Sequence, residues 1–355
     1  MKIVLLASIA ASVSATVLAG SLTENESLFF AGETRESAKA ALLRIPTVLP
    51  VIMSASGETK YEAVRDFVWK PGAREIVLTA ESRIPFKTSA ELHPAPNSPN
   101  SYKAFRNSDA WMFFGPGRVM HDLQCAATYA SADDWKAPEF SPAPDEQLGR
   151  LRERLKAKQP LKIVMLGDSI STEADASALS KAAPNQPGYP TLVAQGLEAR
   201  FGVRATLVNL SKGGMDSKWG VSRVQDAIAE KPDVFLVAFG MNDASGKRKA
   251  EDFANFTRQI FEPVRMALPE CAVILVSSMT ANSEWSHAAP ETYPQYAEVQ
   301  AKMVGPGVAF ADVTRLWTAI ESRKKHMDIS GNGLNHPNDY GHRVYAEVIL
   351  KTIGL

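Results

Sequence analysis

Lys162-Ile163-Val164-Met165-Leu166-Gly167-Asp168-Ser169-Ile170 is the stretch whose reading decides the fold. An apolar run of strand length stops at a glycine, and a serine follows two positions later. Four similar runs lie downstream, at residues 205–210, 233–239, 272–277 and 308–313. Amphipathic stretches of helical length separate them, at 188–201, 221–230, 251–268, 294–304 and 314–325, and a last one covers 338–353. This alternation predicts βαβ units, hence a parallel sheet covered on both faces with ligand groups at the carboxyl ends of its strands.

Upstream the chain changes character. Residues 22–135 carry short extended runs broken by turn chemistry. The clearest is Asp66-Phe67-Val68-Trp69, then Lys70-Pro71-Gly72-Ala73, then Glu75-Ile76-Val77-Leu78-Thr79: strand, Pro-Gly turn, strand. Similar runs stand at 27–30, 111–114 and 125–130, so a smaller β-rich sandwich domain is expected over 22–135, with a surface loop at 93–101. Three prolines within 136–144 mark a linker, and a polar helix at 145–157 completes a connecting segment, 136–160, ahead of the α/β domain at 161–355.

Lys2 followed by an apolar or small run at 3–13 reads as a signal peptide over 1–19, cleaved after Ala15 or Ala19. The run is short for a membrane span, so a secreted or periplasmic protein without stable membrane insertion is expected. Ser21 stands where a lipidated cysteine would have to be. Basic and acidic residues balance, 39 against 39, which leaves no net field for nucleic acid. The two cysteines, Cys125 and Cys271, cannot build a disulfide framework or a cysteine zinc site. Export would permit one bridge between them, whereas the apolar run that Cys271 opens suits a buried free thiol.

Four motifs fall at strand ends or helix starts. Gly167-Asp168-Ser169 places a serine at a strand-to-helix turn, where a base can reach it. Asn209-Leu210-Ser211-Lys212-Gly213-Gly214 lets backbone N–H groups face a cavity. Gly240-Met241-Asn242-Asp243 puts an amide donor over the same edge. Asn335-His336-Pro337 projects an imidazole from a loop whose proline starts the last helix. Taken singly, the first two read more readily as plain turns, and the third can be an Asx-type helix cap. His93, His121, His287 and His326 have no constellation around them, and His342 reads as packing or capping within the last helix.

Together, in this order, the four motifs resemble the SGNH hydrolases, also called GDSL esterases and lipases, over residues 161–355. The resemblance implies a three-layer α/β/α sandwich with a five-stranded, flavodoxin-like parallel sheet. It implies Ser169 as nucleophile and His336 as its base. The oxyanion donors would be the Ser169 and Gly214 N–H groups and the Asn242 side chain. No metal or cofactor is implied, and Asp216 and Asp243 read as local hydrogen-bonding groups. One departure stands out: the family usually carries an aspartate three residues before the histidine, and Gly333 occupies that position. Either a backbone carbonyl orients His336, giving a Ser–His dyad, or Asp328 folds back into the role; Asp339 suits the first turn of the last helix.

Export, a β-rich front and this back domain look like two-domain carbohydrate esterases, which implies an acylated carbohydrate or other small ester as substrate. Trp219 either stacks on a sugar ring or anchors the next helix. A lipase or thioesterase acting on longer chains shares all four motifs. A non-catalytic binding protein with a decayed site would account for the missing aspartate. Oligomeric state stays open.

Overall fold

The computed structural model describes residues 22–103, 109–131 and 135–355. The expected signal peptide, 1–19, lies outside the described residues. Among the described residues no helix is long and apolar enough to cross a membrane.

The N-terminal part contains strands β1 (Leu22–Phe29), β2 (Lys39–Ala41), β3 (Val51–Ser54), β4 (Phe67–Trp69), β5 (Glu75–Leu78), β6 (Ser101–Lys103), β7 (Trp111–Phe113) and β8 (Gln124–Ala130). They pair antiparallel as two three-stranded sheets, β1-β8-β3 and β2-β5-β4, with β6 on β7. The strand–turn–strand read around Pro71-Gly72 is β4–β5, with Val68 opposite Val77. Side chains of β8 alternate, so Cys125, Ala127 and Tyr129 point inward. There they share one core with Leu28, Ile52, Phe67, Ile76 and Leu78 from both sheets. Each large apolar side chain so buried contributes about 1.5–3 kcal/mol. Cys125 belongs to this core and Cys271 to the larger one downstream, and both thiols are free, so the permitted bridge is not formed. Burial pushes both thiols up, Cys271 to about 12.

Downstream, the five apolar runs form one parallel sheet of β9 (Leu161–Gly167), β10 (Ala205–Asn209), β11 (Val234–Ala238), β12 (Ala272–Val276) and β13 (Val308–Ala311). Its order is β10-β9-β11-β12-β13, so the chain steps from β9 to β10 and then crosses back past β9 to β11. Strands β11 and β12 are buried at every residue, because helices cover both faces. Helices Tyr189–Phe201, Val313–Glu321 and Asp339–Ile353 lie on one face and Ala250–Ala267 and Thr292–Ala301 on the other. The helix expected to belong to the connecting segment, Asp145–Lys156, buries Leu148, Leu151 and Leu155 in the α/β core and is part of the first layer. The helix expected over 221–230 is two short ones, Ser217–Val221 and Val224–Ala229. The Asp216 carboxylate accepts the Trp219 N–H at 2.9 Å and starts the first of them before the apolar pattern does.

A buried polar seam joins the β-rich part to the α/β layers. Lys324 donates to Glu26 at 2.6 Å and to the Ala41 carbonyl at 2.8 Å, both side chains of the pair being inaccessible. Glu26 also accepts from the Leu43 N–H at 2.8 Å and the Tyr129 hydroxyl at 2.5 Å. Burial and Glu26 push the Tyr129 phenol up, so it stays a neutral donor. Asn338 donates to Ser27 and Gln124, and Gln124 donates to the carbonyls of Met327 and Ser330. Removing one partner of a buried pair leaves the other charge uncompensated. Lys324→Met should therefore lower stability by about 3–5 kcal/mol. Urea unfolding followed by tryptophan fluorescence measures it, and a loss of under about 1 kcal/mol would refute this role for the pair.

Candidate active site

Because β9 lies between β10 and β11, the loops leaving these three strands share one edge of the sheet. Ser169 follows β9, Gly214 follows β10 and Asn242 follows β11. The loop ahead of helix Asp339–Ile353 brings His336 to the same edge, with its Nε2 2.8 Å from Ser169 Oγ. The other ring nitrogen, Nδ1, lies 2.6 Å from Asp175 Oδ2. The imidazole is 18% exposed and the carboxylate 7%, so a substrate can approach the histidine while its partner stays shielded.

Asp175 corrects both expectations for the group that orients His336. No backbone carbonyl takes the Nδ1 position, and Asp328 is committed elsewhere. Its carboxylate accepts from the Phe29 N–H at 2.8 Å and the Lys325 N–H at 3.0 Å, joining β1 to the helix His326–Ile329. Asp175 stands six residues after Ser169, in a segment without helical or strand periodicity, so spacing gives no signal for it. Glu173 and Asp175 hold φ values of 68° and 63°, a left-handed conformation that aspartate adopts more readily than most residues.

Two helices hold that loop, one through amides at its N-terminus and one through its side chains. Glu173 accepts from the N–H groups of Gly188 and Thr191 and caps helix Tyr189–Phe201. His342, expected to pack or cap in the last helix, is buried and accepts the Tyr189 N–H at its Nδ1. Its Nε2–H therefore donates to the Ala174 carbonyl at 3.1 Å, one residue before Asp175. Burial lowers this imidazole to about 4, which keeps it neutral with one donor and one acceptor. Asp339 accepts the Ser177 N–H at 2.8 Å, while Asn338 takes the capping role on the last helix by accepting from Gly341. The histidine loop is held by Asn332, whose side-chain oxygen accepts from the N–H groups of Leu334, Asn335 and His336.

On the opposite side of Ser169, Gly214 adopts φ +77°, a left-handed turn that would strain any other residue type. Among the described residues, neither the Ser169 N–H nor the Gly214 N–H has a hydrogen-bond acceptor. The Asn242 amide donates one hydrogen to the Met215 carbonyl at 2.8 Å, which fixes the side chain and leaves its second hydrogen free. Asp243 accepts from Ser217 and Arg248, and Arg248 also pairs with Asp216, so the loops after β10 and β11 are locked together. Trp219 is half-buried and meets Phe239 edge-on at 6.4 Å, the geometry of a helix anchor.

Next to Ser169, Asp168 is buried and accepts the Ile170 N–H at 3.0 Å. Burial pushes its carboxyl up to about 7. An unfolded aspartate titrates near pH 3.9, so between about pH 4 and pH 7 the folded protein retains a proton that the unfolded chain has lost. Asp168 thus lowers stability progressively as pH rises through that window. Relative to the parent, Asp168→Asn should gain stability between about pH 5 and about pH 8, read from urea midpoints. Parallel pH curves for the two proteins would contradict this.

A model of the GDSL-like lipase/acylhydrolase family matches residues 165–344. No curated protein matches the chain. Similar solved structures include a two-domain esterase active on acetylated mannans, co-crystallised with mannopentaose, at 24% identity and a TM-score of 0.47. That likeness covers 59% of this chain and 53% of the esterase, so the chain spans about half the esterase's length. An acetyl xylan esterase from Geobacillus stearothermophilus is similar at 20% identity and a TM-score of 0.43, over 55% of this chain and 94% of that one. A lipase from a goat rumen metagenome is similar at 13% identity and 0.44, over 54% and 96%. With the family model spanning more than half of its residues, the chain belongs to the GDSL-like lipase/acylhydrolase family.

Proposed function

We propose that this protein is an exported serine esterase that removes short acyl groups, acetyl above all, from carbohydrates. The observation that carries the catalytic part is the chain of contacts Ser169 Oγ–His336 Nε2–Asp175 Oδ2 at 2.8 Å and 2.6 Å. With Nδ1–H donated to Asp175, Nε2 of His336 is left as an acceptor, so it takes the Ser169 proton as Oγ attacks the ester carbonyl. The negative charge that develops on the carbonyl oxygen is met by the N–H groups of Ser169 and Gly214 and the free hydrogen of the Asn242 amide. His336 then gives its proton to the leaving sugar oxygen, and the acyl group remains on Ser169. Water, deprotonated by the same imidazole, attacks the acyl-enzyme and releases the acid, with the proton returned to Ser169.

The substrate part rests on the surroundings of Ser169. The exposed Gly213 and Gly214 and the half-buried, polar Asn242 beside Ser169 favour a small acyl group over a long apolar one. The apolar stretch at residues 3–13 supports export.

Ser169→Ala should abolish hydrolysis of p-nitrophenyl acetate. Asp175→Asn should lower kcat by about 10⁴-fold, since the wrong tautomer of the histidine is then favoured. Asn242→Ala should lower kcat by about 10²–10³-fold. Asp328→Asn, by contrast, should leave kcat unchanged. Steady-state kinetics on these variants tests the assignment, and a fully active Asp175→Asn protein would overturn it. Released acetate from a panel of acetylated polysaccharides tests the substrate. A clear preference for p-nitrophenyl octanoate over acetate would refute the short-acyl reading.

A further inference from the structure

The orienting carboxylate has two oxygens, and only one faces the histidine. The other, Asp175 Oδ1, accepts the N–H of Gly117 at 2.5 Å, and Gly117 belongs to the β-rich part, in the turn that follows β7. Two more contacts flank it, one from the same turn and one from the short helix Arg118–His121 that follows. The Gly115 N–H donates to the Asn332 carbonyl at 3.0 Å, at the head of the histidine loop. His121 Nε2–H donates to the Ala183 carbonyl at 2.8 Å, in the segment downstream of Asp175. Segment 115–121 therefore bridges the loop that carries the carboxylate and the loop that carries the base.

We propose that Gly117 is a positioning residue for the hydrolysis, so that the β-rich part completes the active site by aiming Asp175 at His336. This rests on the Ser169–His336–Asp175 reading and adds to it. The position suits glycine alone: φ is 61° and ψ −128°, a region closed to other L-residues. A Cβ there would come within 3.3 Å of the Ser180 hydroxyl. A carboxylate held by one hydrogen bond can swing about its Cβ–Cγ bond. Held by two, from opposite sides, it presents a fixed oxygen to Nδ1, and the imidazole keeps the orientation that proton transfer needs.

The test is a double-mutant cycle on the full chain with p-nitrophenyl acetate. Gly117→Ala should lower kcat by about 10- to 100-fold with KM nearly unchanged, because the acyl site itself is untouched. In an Asp175→Asn background the same change should cost less than about two-fold, since the group through which it acts is already gone. An equal loss in both backgrounds, or no loss in the parent, would overturn the proposal. If Asp175→Asn alone were fully active, the three-residue reading would fall instead, which keeps the two failures apart. Should Gly117→Ala lack a cooperative unfolding transition, Pro116→Gly takes its place. Pro116 is exposed and its replacement loosens the segment between the two amide contacts without touching a core. It should slow the parent several-fold and the Asp175→Asn protein not at all, and equal slowing of both would count against positioning.

Discussion

The Asp175 carboxylate must be shielded enough to bind the His336 imidazole firmly, yet a shielded carboxylate is costly unless both oxygens have donors. His336 supplies one and the Gly117 N–H the other. Three segments far apart in the chain, around 117, 175 and 336, must therefore meet at one point. Most of the polar architecture between the two halves can be understood as the means of holding them there. Glu173, within the loop of the carboxylate, ties it to helix Tyr189–Phe201, and His342 and Asp339 hold it from the last helix. Asn332 gathers three amides of the histidine loop, and its own carbonyl is held by Gly115.

The same requirement gives the Lys324–Glu26 pair a purpose that its energy does not. A buried ion pair of good geometry contributes little net stability compared with apolar side chains of similar volume. What it specifies is register. Lys324 reaches Glu26 and the Ala41 carbonyl only where β1 lies so that the Phe29 N–H meets Asp328. With β1 so placed, β8 lies beside it, and Gln124 and Asn338 join the base of the histidine loop to both. Misalignment by one residue would strand several buried donors at once, each costing about 1–3 kcal/mol.

How much of this was legible in the sequence follows from which forces act locally. The five strands declared themselves by runs such as Ile163–Leu166 because burial on both faces requires apolar residues throughout. Ser169, Gly214, Asn242 and His336 could be placed because each sits at the end of a regular element whose position the pattern gives. Asp175 could not, since it lies in an irregular loop and its partners, His336 and Gly117, are distant in sequence. The split of the helix expected over 221–230 was hidden for a related reason: Asp216 caps through a side chain, and capping leaves no trace in hydrophobic periodicity. Asp328 is near His336 along the chain, but its carboxylate turns to the Phe29 and Lys325 amides, a pairing with β1 that no local pattern reveals.

Position 333 explains why the acid sits where it does. Three residues before the histidine, Gly333 adopts φ +86°, and a Cβ placed there would lie 3.0 Å from the Phe113 carbonyl of the β-rich part. Its N–H donates to the Ser330 hydroxyl and its carbonyl accepts from Asn282, so the backbone at this point is committed on both sides. An aspartate at 333 would be strained at that φ, and its Cβ would press on the Phe113 carbonyl, which would have to give by a few tenths of an ångström. The close approach of the β-rich part thus works against a side chain at 333, and the same part brings the Gly117 N–H to the second oxygen of Asp175, which arrives from the loop of Ser169. The position of the acid and the presence of the front layer are on this view one structural fact.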